Sequence, residues 1–219
     1  MRYFVSGVAG FLGSHLAEHL LSHGHQVIGV DNLIGGYMDN VPPGVKFRFA
    51  DCADRATLLE MMKGVDVVYH TACTAYEGLS VFSPDLVSKN TFGITMSTLS
   101  ASITSGVKRF VFLSSMARYG KQKTTPFTED MEPKPQDPYA ISKWAAELAI
   151  KELCETHGME YVIAVPHNII GPRQKYDDPY RNVASIFINL MLQDRTPVIY
   201  GDGLQERCFS FVDDVVEPL

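Results

Sequence analysis

Short apolar runs and amphipathic stretches alternate along this chain from its first residues. Tyr3-Phe4-Val5 has the character of a buried strand. Phe11 to His23 then carries Leu12, Leu16 and Leu20 on one helical face, with Gly24 as its stop. Gln26 to Val30 reads as a second strand ending at Asp31, and 32–44, with Gly35, Gly36, Pro42, Pro43 and Gly44, reads as a loop. Val45 to Ala50 is a third strand, followed by a helix near Asp54–Met62 and a buried fourth strand from Val65 to His70. A long helix is predicted over Pro84–Ser105, closed by Gly106, then a fifth strand from Arg109 to Leu113. A further helix runs from Pro138 to His157 and ends at Gly158, with Tyr161 to Val165 as the sixth strand. This rhythm predicts an α/β fold of the Rossmann type, a doubly wound parallel sheet with helices on both faces. Beyond Pro166 the rhythm breaks. Pro172, Pro179 and Pro197 interrupt the chain, leaving one helix near 181–194 and short strands near 198–200 and 207–212.

The first strand and the first helix are joined by Gly7-Val8-Ala9-Gly10-Phe11-Leu12-Gly13. Gly7 permits the sharp bend, Gly10 lets a pyrophosphate approach the backbone, and Gly13 lets the helix press onto its strand. The helix offers the phosphates its unpaired N–H groups and the positive end of its dipole. Asp31, at the expected end of the second strand, supplies a carboxylate for the hydroxyls of an adenosine ribose. The stretch after it, Asn32-Leu33-Ile34-Gly35-Gly36, holds no arginine for a 2′-phosphate. NAD is therefore expected rather than NADP. Residues 1–165 are read as the dinucleotide-binding domain, and 166–219 as the beginning of a small C-terminal substrate-binding lobe.

With 219 residues, 46% of them hydrophobic and 20% charged, the chain can bury a large core. A net charge of -6 without a basic cluster argues against a nucleic-acid partner. Cys52, Cys73, Cys154 and Cys208 are far apart and form no CxxC pair, as expected of reduced thiols. No apolar run is long enough to span a membrane, and the apolar start of the chain is the nucleotide turn rather than an export signal. The cytoplasm is the expected compartment.

Tyr139-Ala140-Ile141-Ser142-Lys143 places a phenol and an ammonium one turn apart on a helix, where both can address one ligand. Lowering a phenol from its usual pKa near 10 to act as a base near neutrality requires roughly 4 kcal/mol. A lysine charge some 4–5 Å away supplies about 3–4 kcal/mol of it at an effective dielectric of 20. The fifth strand ends in Ser114-Ser115, at the edge of an open α/β sheet where ligands bind, so Ser115 can share a substrate oxygen with Tyr139. Two other patterns lead elsewhere. His15-Leu16-Ala17-Glu18-His19 has the spacing of a zinc-protease helix, but that helix already serves the phosphate turn and no third ligand is evident, so no metal is expected. His70 ends a buried strand and reads as a satisfied core histidine.

Taken in order, GxxGxxG at 7–13, SSxxxYG at 114–120, YxxxK at 139–143 and Pro166-His167-Asn168 leading to Gly171-Pro172-Arg173 resemble an extended short-chain dehydrogenase/reductase. Within that group the chain is similar to the NAD-dependent epimerase/dehydratase family, and most of all to its UDP-glucose 4-epimerases. The resemblance implies a UDP-sugar substrate, reversible hydride transfer through a 4-keto intermediate, and a homodimer. It makes Ser115, Tyr139 and Lys143 the catalytic trio. It assigns to cofactor binding Gly7, Gly10, Phe11, Leu12 and Gly13 of the turn, Asp31 with Asn32, and Asp51 with Cys52 at the adenine. Thr71, Ala72 and Cys73 beside the cofactor, Asn90 on the long helix, and Pro166 complete that set. Asn168, Asn182 and Val183 match positions that hold the diphosphate and sugar, Val198 and Tyr200 the strand that receives the uracil, and Arg207 a phosphate-gripping arginine.

The chain also departs from the family pattern. The Asp-Glu pair with which dehydratases eliminate water is replaced here by Met116 and Ala117. Cys73 stands in a stretch that is usually alanine-rich, Arg118 where a small apolar residue is usual, and Val165 where arginine is common. Relatives continue beyond Asp213-Asp214 with more of the substrate lobe. The alternatives are a nucleotide-sugar reductase or dehydratase on the same trio, and a non-catalytic NAD-binding protein.

Overall fold

Alternate residues of the central strands point to opposite faces of one sheet, and both faces are apolar, so each had to be covered. The computed structural model describes residues 1–178, 180 and 182–219. In chain order they form β1 (Arg2–Ser6), α1 (Phe11–Ser22), β2 (Gln26–Asp31), β3 (Lys46–Phe49), α2 (Arg55–Met61), β4 (Val67–His70), α3 (Glu77–Ser80), α4 (Pro84–Ser88), α5 (Ile94–Thr104), β5 (Arg109–Leu113), α6 (Pro138–His157) and β6 (Glu160–Ala164). The remainder comprises β7 (Ile169–Ile170), α7 (Val183–Met191), β8 (Ser210–Phe211) and α8 (Val212–Val216). Six strands form a parallel sheet in the order β3-β2-β1-β4-β5-β6, so the order reverses direction beside β1. That reversal leaves a crevice at the carboxyl ends of the strands, where open α/β sheets take their ligands.

The register pairs Val5 with Gly29 and Tyr69, and Tyr69 with Val111. One face gathers Phe4, Val68, Phe110 and Phe112 under Leu58 of α2, Leu99 of α5 and Ile150 of α6. The other gathers Val5, Val67, Tyr69 and Val111 under Leu16 and Leu20 of α1. Val212 and Val216 of α8 complete this second layer, and the Tyr69 hydroxyl donates to the Leu219 carbonyl. The last residues of the chain thus pack against α1 and the sheet.

Several expected elements differ in detail. The long helix predicted over Pro84–Ser105 is α4 and α5 joined by a wider π-helical turn, Lys89–Gly93, where the Asn90 carbonyl accepts the N–H of Thr74. Such turns are frequent at functional sites. The strand expected near 198–200 is absent: 195–200 carry no regular structure, because among the described residues no strand lies alongside to pair with them. The strand expected over 207–212 shrinks to β8, which pairs with β7 as a two-residue ribbon, and the apolar residues after it turn into α8. The helix expected near 181–194 is α7. Its predicted first residue, Arg181, and the loop proline Pro179 lie outside the described residues.

His70 shows how the core treats a polar group. Its two ring nitrogens pair with the hydroxyls of Ser6 at 2.8 Å and Thr95 at 3.0 Å. Burial, with the Lys143 charge adding to it, pulls its pKa down to about 3. Since the folded pKa lies below the unfolded one, the unfolded chain takes up the proton first. Stability is therefore undiminished above about pH 6.5 and falls as pH drops from there toward 3. Urea unfolding is expected to show this ring contributing about 2 kcal/mol of the loss between pH 7 and pH 5, a contribution missing from His70→Gln. Equal pH dependence in the two proteins would contradict a buried neutral ring.

Candidate functional site

The glycine turn after β1 sets up the site. Gly7 has a φ of +72°, and a Cβ built on it comes within 2.9 Å of the Ala72 backbone. The first amides of any helix lack an intrahelical acceptor. At α2 and α6 the side chains of Asp54 and Asp137 accept such amides, from Thr57 and Ala140. At α1 the capping position is Gly10, which has no side chain to offer, and no acidic residue stands in the first turn. The donors and the positive dipole end of α1 therefore face the crevice, as an anion such as a pyrophosphate requires.

The crevice runs from this turn across the carboxyl ends of the strands. Its lining contains Gly7, Gly10, Phe11 and Leu12 of the turn, Asp31 and Asn32 after β2, and Asp51 and Cys52 after β3. Thr71, Ala72 and Cys73 after β4, Asn90 in the π turn, Tyr139 and Lys143 on α6, and Pro166 after β6 close it. Gly13 lies behind this wall, where a Cβ would meet the Gly7 carbonyl oxygen at 2.2 Å and Thr71 Oγ1 at 2.8 Å.

Asp31 is buried, and burial raises its pKa against the opposing pull of backbone amides. Oδ2 accepts the N–H of Ala9 at 2.9 Å and Oδ1 that of Leu33 at 2.7 Å. The amides of Gly10 and Asn32 also act on this carboxylate, which lies in the crevice wall where a ribose can reach it. Asn32 donates to Asp51 Oδ2 at 3.1 Å, linking the ends of β2 and β3. Cys52 beside them is buried, and desolvation pushes its thiol up to about 12, so it serves as apolar wall. The arrangement fits NAD: an uncapped glycine turn for the phosphates, a carboxylate for the ribose, and an apolar slot beyond.

At the other end, the Tyr139 phenol is buried, with the Ser115 hydroxyl close enough to ease its ionisation. Burial, with the nearby Cys73, raises its pKa well above the usual phenol value, the Ser115 hydroxyl opposing. Lys143 Nζ donates to the Leu113 carbonyl at 2.6 Å and lies 5.9 Å from the Tyr139 ring centroid. Burial therefore holds the phenol protonated, and ionising it takes positive charge brought into the crevice.

Of the residues expected at the sugar and uracil, Asn168, Asn182, Val183, Val198, Tyr200 and Arg207 lie outside the lining of this crevice. Asn168 donates to the Cys208 carbonyl at 3.1 Å, and Asn182 caps α7 by accepting the N–H of Ala184. Val183 is exposed on α7. Val198 and Tyr200 lie on irregular, solvent-facing chain, with Tyr200 83% exposed, so the strand expected to receive uracil is not built. Arg207 donates to the adjacent Glu206 carbonyl, yet its charge acts on Glu77 and His167.

Sequence reasoning overlooked Gly36, Tyr76 and Ser114. Tyr76 and Ser114 line the crevice. Gly36 packs on the turn, where a Cβ would lie 2.1 Å from the Ala9 carbonyl oxygen. The Gly35-Gly36 pair was its visible signal. In the His15–His19 motif, His15 meets the Pro172 carbonyl and Glu18 pairs with Arg173. Among the described residues no group of His, Cys, Asp and Glu could hold a metal ion, and no helix is long and apolar enough to cross a membrane.

Comparison with known proteins agrees with this geometry. The family model described as NAD dependent epimerase/dehydratase family matches residues 3–219. A UDP-glucose 4-epimerase of Mycolicibacterium smegmatis is 36% identical over 99% of this chain and 71% of its own length. The structure superposes with a TM-score of 0.94 on the UDP-glucose 4-epimerase of Thermotoga maritima solved with UDP-glucose, at 32% identity, covering 99% of this chain and 71% of that one. The Thermus thermophilus UDP-glucose 4-epimerase in complex with NAD gives a TM-score of 0.91 at 33% identity, over 99% of this chain and 72% of its own.

Proposed function

Because the chain belongs to the NAD-dependent epimerase/dehydratase family, we propose that it is a nucleotide-sugar 4-epimerase that inverts C4 of a UDP-hexose. The observation that carries the reading is one crevice that begins at an uncapped glycine turn and ends at the buried Tyr139, with Lys143 one helical turn along α6 and the Ser115 hydroxyl beside the phenol. Residues 1–165 hold the cofactor in this reading, and 166–219 begin the sugar side.

Bound NAD supplies a reversible hydride acceptor. Tyr139 Oη takes the proton of the sugar 4-hydroxyl as C4 is oxidised, and returns it when the ketone is reduced on its other face. Ser115 hydrogen-bonds the same oxygen, steadying it as charge develops. Lys143 spends one of its three donors on the Leu113 carbonyl and directs the others at the cofactor ribose and the phenol. Gly10, Phe11 and Leu12 hold the pyrophosphate through backbone amides, and Asp31 holds the adenosine ribose. Arg207, Asn168 and Asn182 serve the sugar diphosphate from the rim, with Val183, Val198 and Tyr200 on the uracil side.

Met116 and Ala117 carry no ionisable group, which favours epimerisation over dehydration on the same trio. The protein acts in the carbohydrate metabolism of the cytoplasm. It pairs as a homodimer through α4, α5 and α6, on which Leu86, Ile141 and Leu148 are exposed. Incubation with UDP-glucose and NAD is expected to yield UDP-galactose without accumulation of NADH. Stoichiometric NADH production or consumption would instead mark a net oxidoreductase, and NAD binding without turnover of any UDP-sugar a binding protein.

A further inference from the structure

Behind the Ser115–Tyr139 pair lies a charged cluster that the proposed reaction does not use. Glu147 stands two turns beyond Tyr139 and one beyond Lys143 on the same face of α6. Its Oε1 accepts the Ser114 hydroxyl and its Oε2 accepts Arg118 Nη1, so both oxygens are committed. Arg118 and Glu147 are only 8% and 3% exposed. The guanidinium lies over the ring of Tyr119, 4.5 Å from its centroid, and 5.9 Å from that of Trp144. Arg118 Nε is buried without a hydrogen-bond partner.

As a stabilising device this is a poor arrangement. Two desolvated ions and an orphaned N–H are typically matched or bettered by apolar side chains of similar volume. Its position offers another use. Ser114 is the first residue beyond β5, Ser115 the next, and Arg118 lies in the 3₁₀ turn Met116–Tyr119 that follows. The Arg118 N–H closes that turn on the Ser115 carbonyl at 3.2 Å, and the Ser115 hydroxyl accepts the Ala117 N–H. Glu147 therefore grips the chain on both sides of Ser115 from the helix that carries Tyr139.

Resting on the epimerase reading, we propose that Arg118 and Glu147 are positioning residues that hold the Ser115 hydroxyl in register with the Tyr139 phenol. The test compares Arg118→Leu with the apolar double variant Arg118→Leu/Glu147→Leu in the full protein. Turnover, KM, NAD affinity, the melt followed by Trp144 fluorescence, and a crystal structure of the double variant are the readouts. The double variant is expected to melt no lower than wild type while its kcat remains roughly 10- to 100-fold down, with KM and NAD affinity within about twofold. In its crystal structure the Ser115 hydroxyl is expected to have moved away from the Tyr139 phenol. Recovery of kcat together with stability would overturn the proposal, as would a Ser115 hydroxyl in its wild-type place. If wild type proves inactive on UDP-sugars the epimerase reading falls, and the crystal structure still decides what the cluster positions.

Discussion

Tyr139→Phe is expected to lower epimerase turnover by roughly 10²–10⁴-fold, the usual range for losing a positioned general acid–base. The substitution removes one oxygen and leaves the ring, so the buried packing around α6 survives. The stability lost is expected to be no more than that of one hydrogen bond, about 1 kcal/mol. NAD affinity is expected to stay within about threefold, since the proposed hold on the cofactor lies mainly at the glycine turn and Asp31, at the other end of the crevice. The loss therefore belongs in kcat and not in cofactor occupancy, and steady-state kinetics beside an NAD titration separate the two. The base form also has to be made on demand, because burial keeps this phenol protonated. Turnover within twofold of wild type would remove Tyr139 from the chemistry and the 4-epimerase mechanism with it.

What could be read from the sequence followed from how local its causes are. β1, α1 and β2 are written in nearest-neighbour terms: an unbroken apolar run at Tyr3-Phe4-Val5, a leucine every fourth residue, glycines at a bend. The carboxylate of Asp31 followed because a parallel strand order dictates where its end must lie. The cofactor residues expected at the ends of β1, β2, β3 and β4 accordingly line one crevice. The tail failed for the opposite reason. Val198-Ile199-Tyr200 has the residues of a strand, but a strand is made by its neighbour, and among the described residues none pairs with it. Phe211 and Val212 also look like strand residues, yet burial against Leu16 and Val5 draws Val212–Val216 into α8. Gly36 escaped notice because its reason is the Ala9 carbonyl, many residues earlier. Arg118 was legible only as a departure from a family pattern, since its partner Glu147 is brought to it by the packing of α6 on the end of β5.

The same logic of close approach yields the second large effect, at a glycine that never touches ligand. Gly13→Ala ought to help α1 by helix propensity alone, by up to about 1 kcal/mol. The added methyl, however, falls 2.2 Å from the Gly7 carbonyl oxygen, a backbone atom that cannot rotate away, and 2.8 Å from Thr71 Oγ1, which is anchored to the Ser6 carbonyl at 2.6 Å. Either α1 lifts from the turn or the turn opens, and overpacking of this kind typically costs 1–3 kcal/mol. Both responses displace the amides of Phe11 and Leu12 that are to hold the pyrophosphate. The expected result is a lower melting temperature together with at least tenfold weaker NAD binding, about 1.4 kcal/mol. Gly93→Ala is the matched control. Its backbone is already right-handed helical, with φ of -57°, and its methyl would meet nothing nearer than Lys89 Cγ at 3.9 Å. That variant is expected to keep both stability and NAD affinity. Wild-type NAD affinity in Gly13→Ala, measured by calorimetric titration, would mean that the tight contact between helix and turn is not what seats the phosphates. The crevice would then have to hold its cofactor from the ribose side alone.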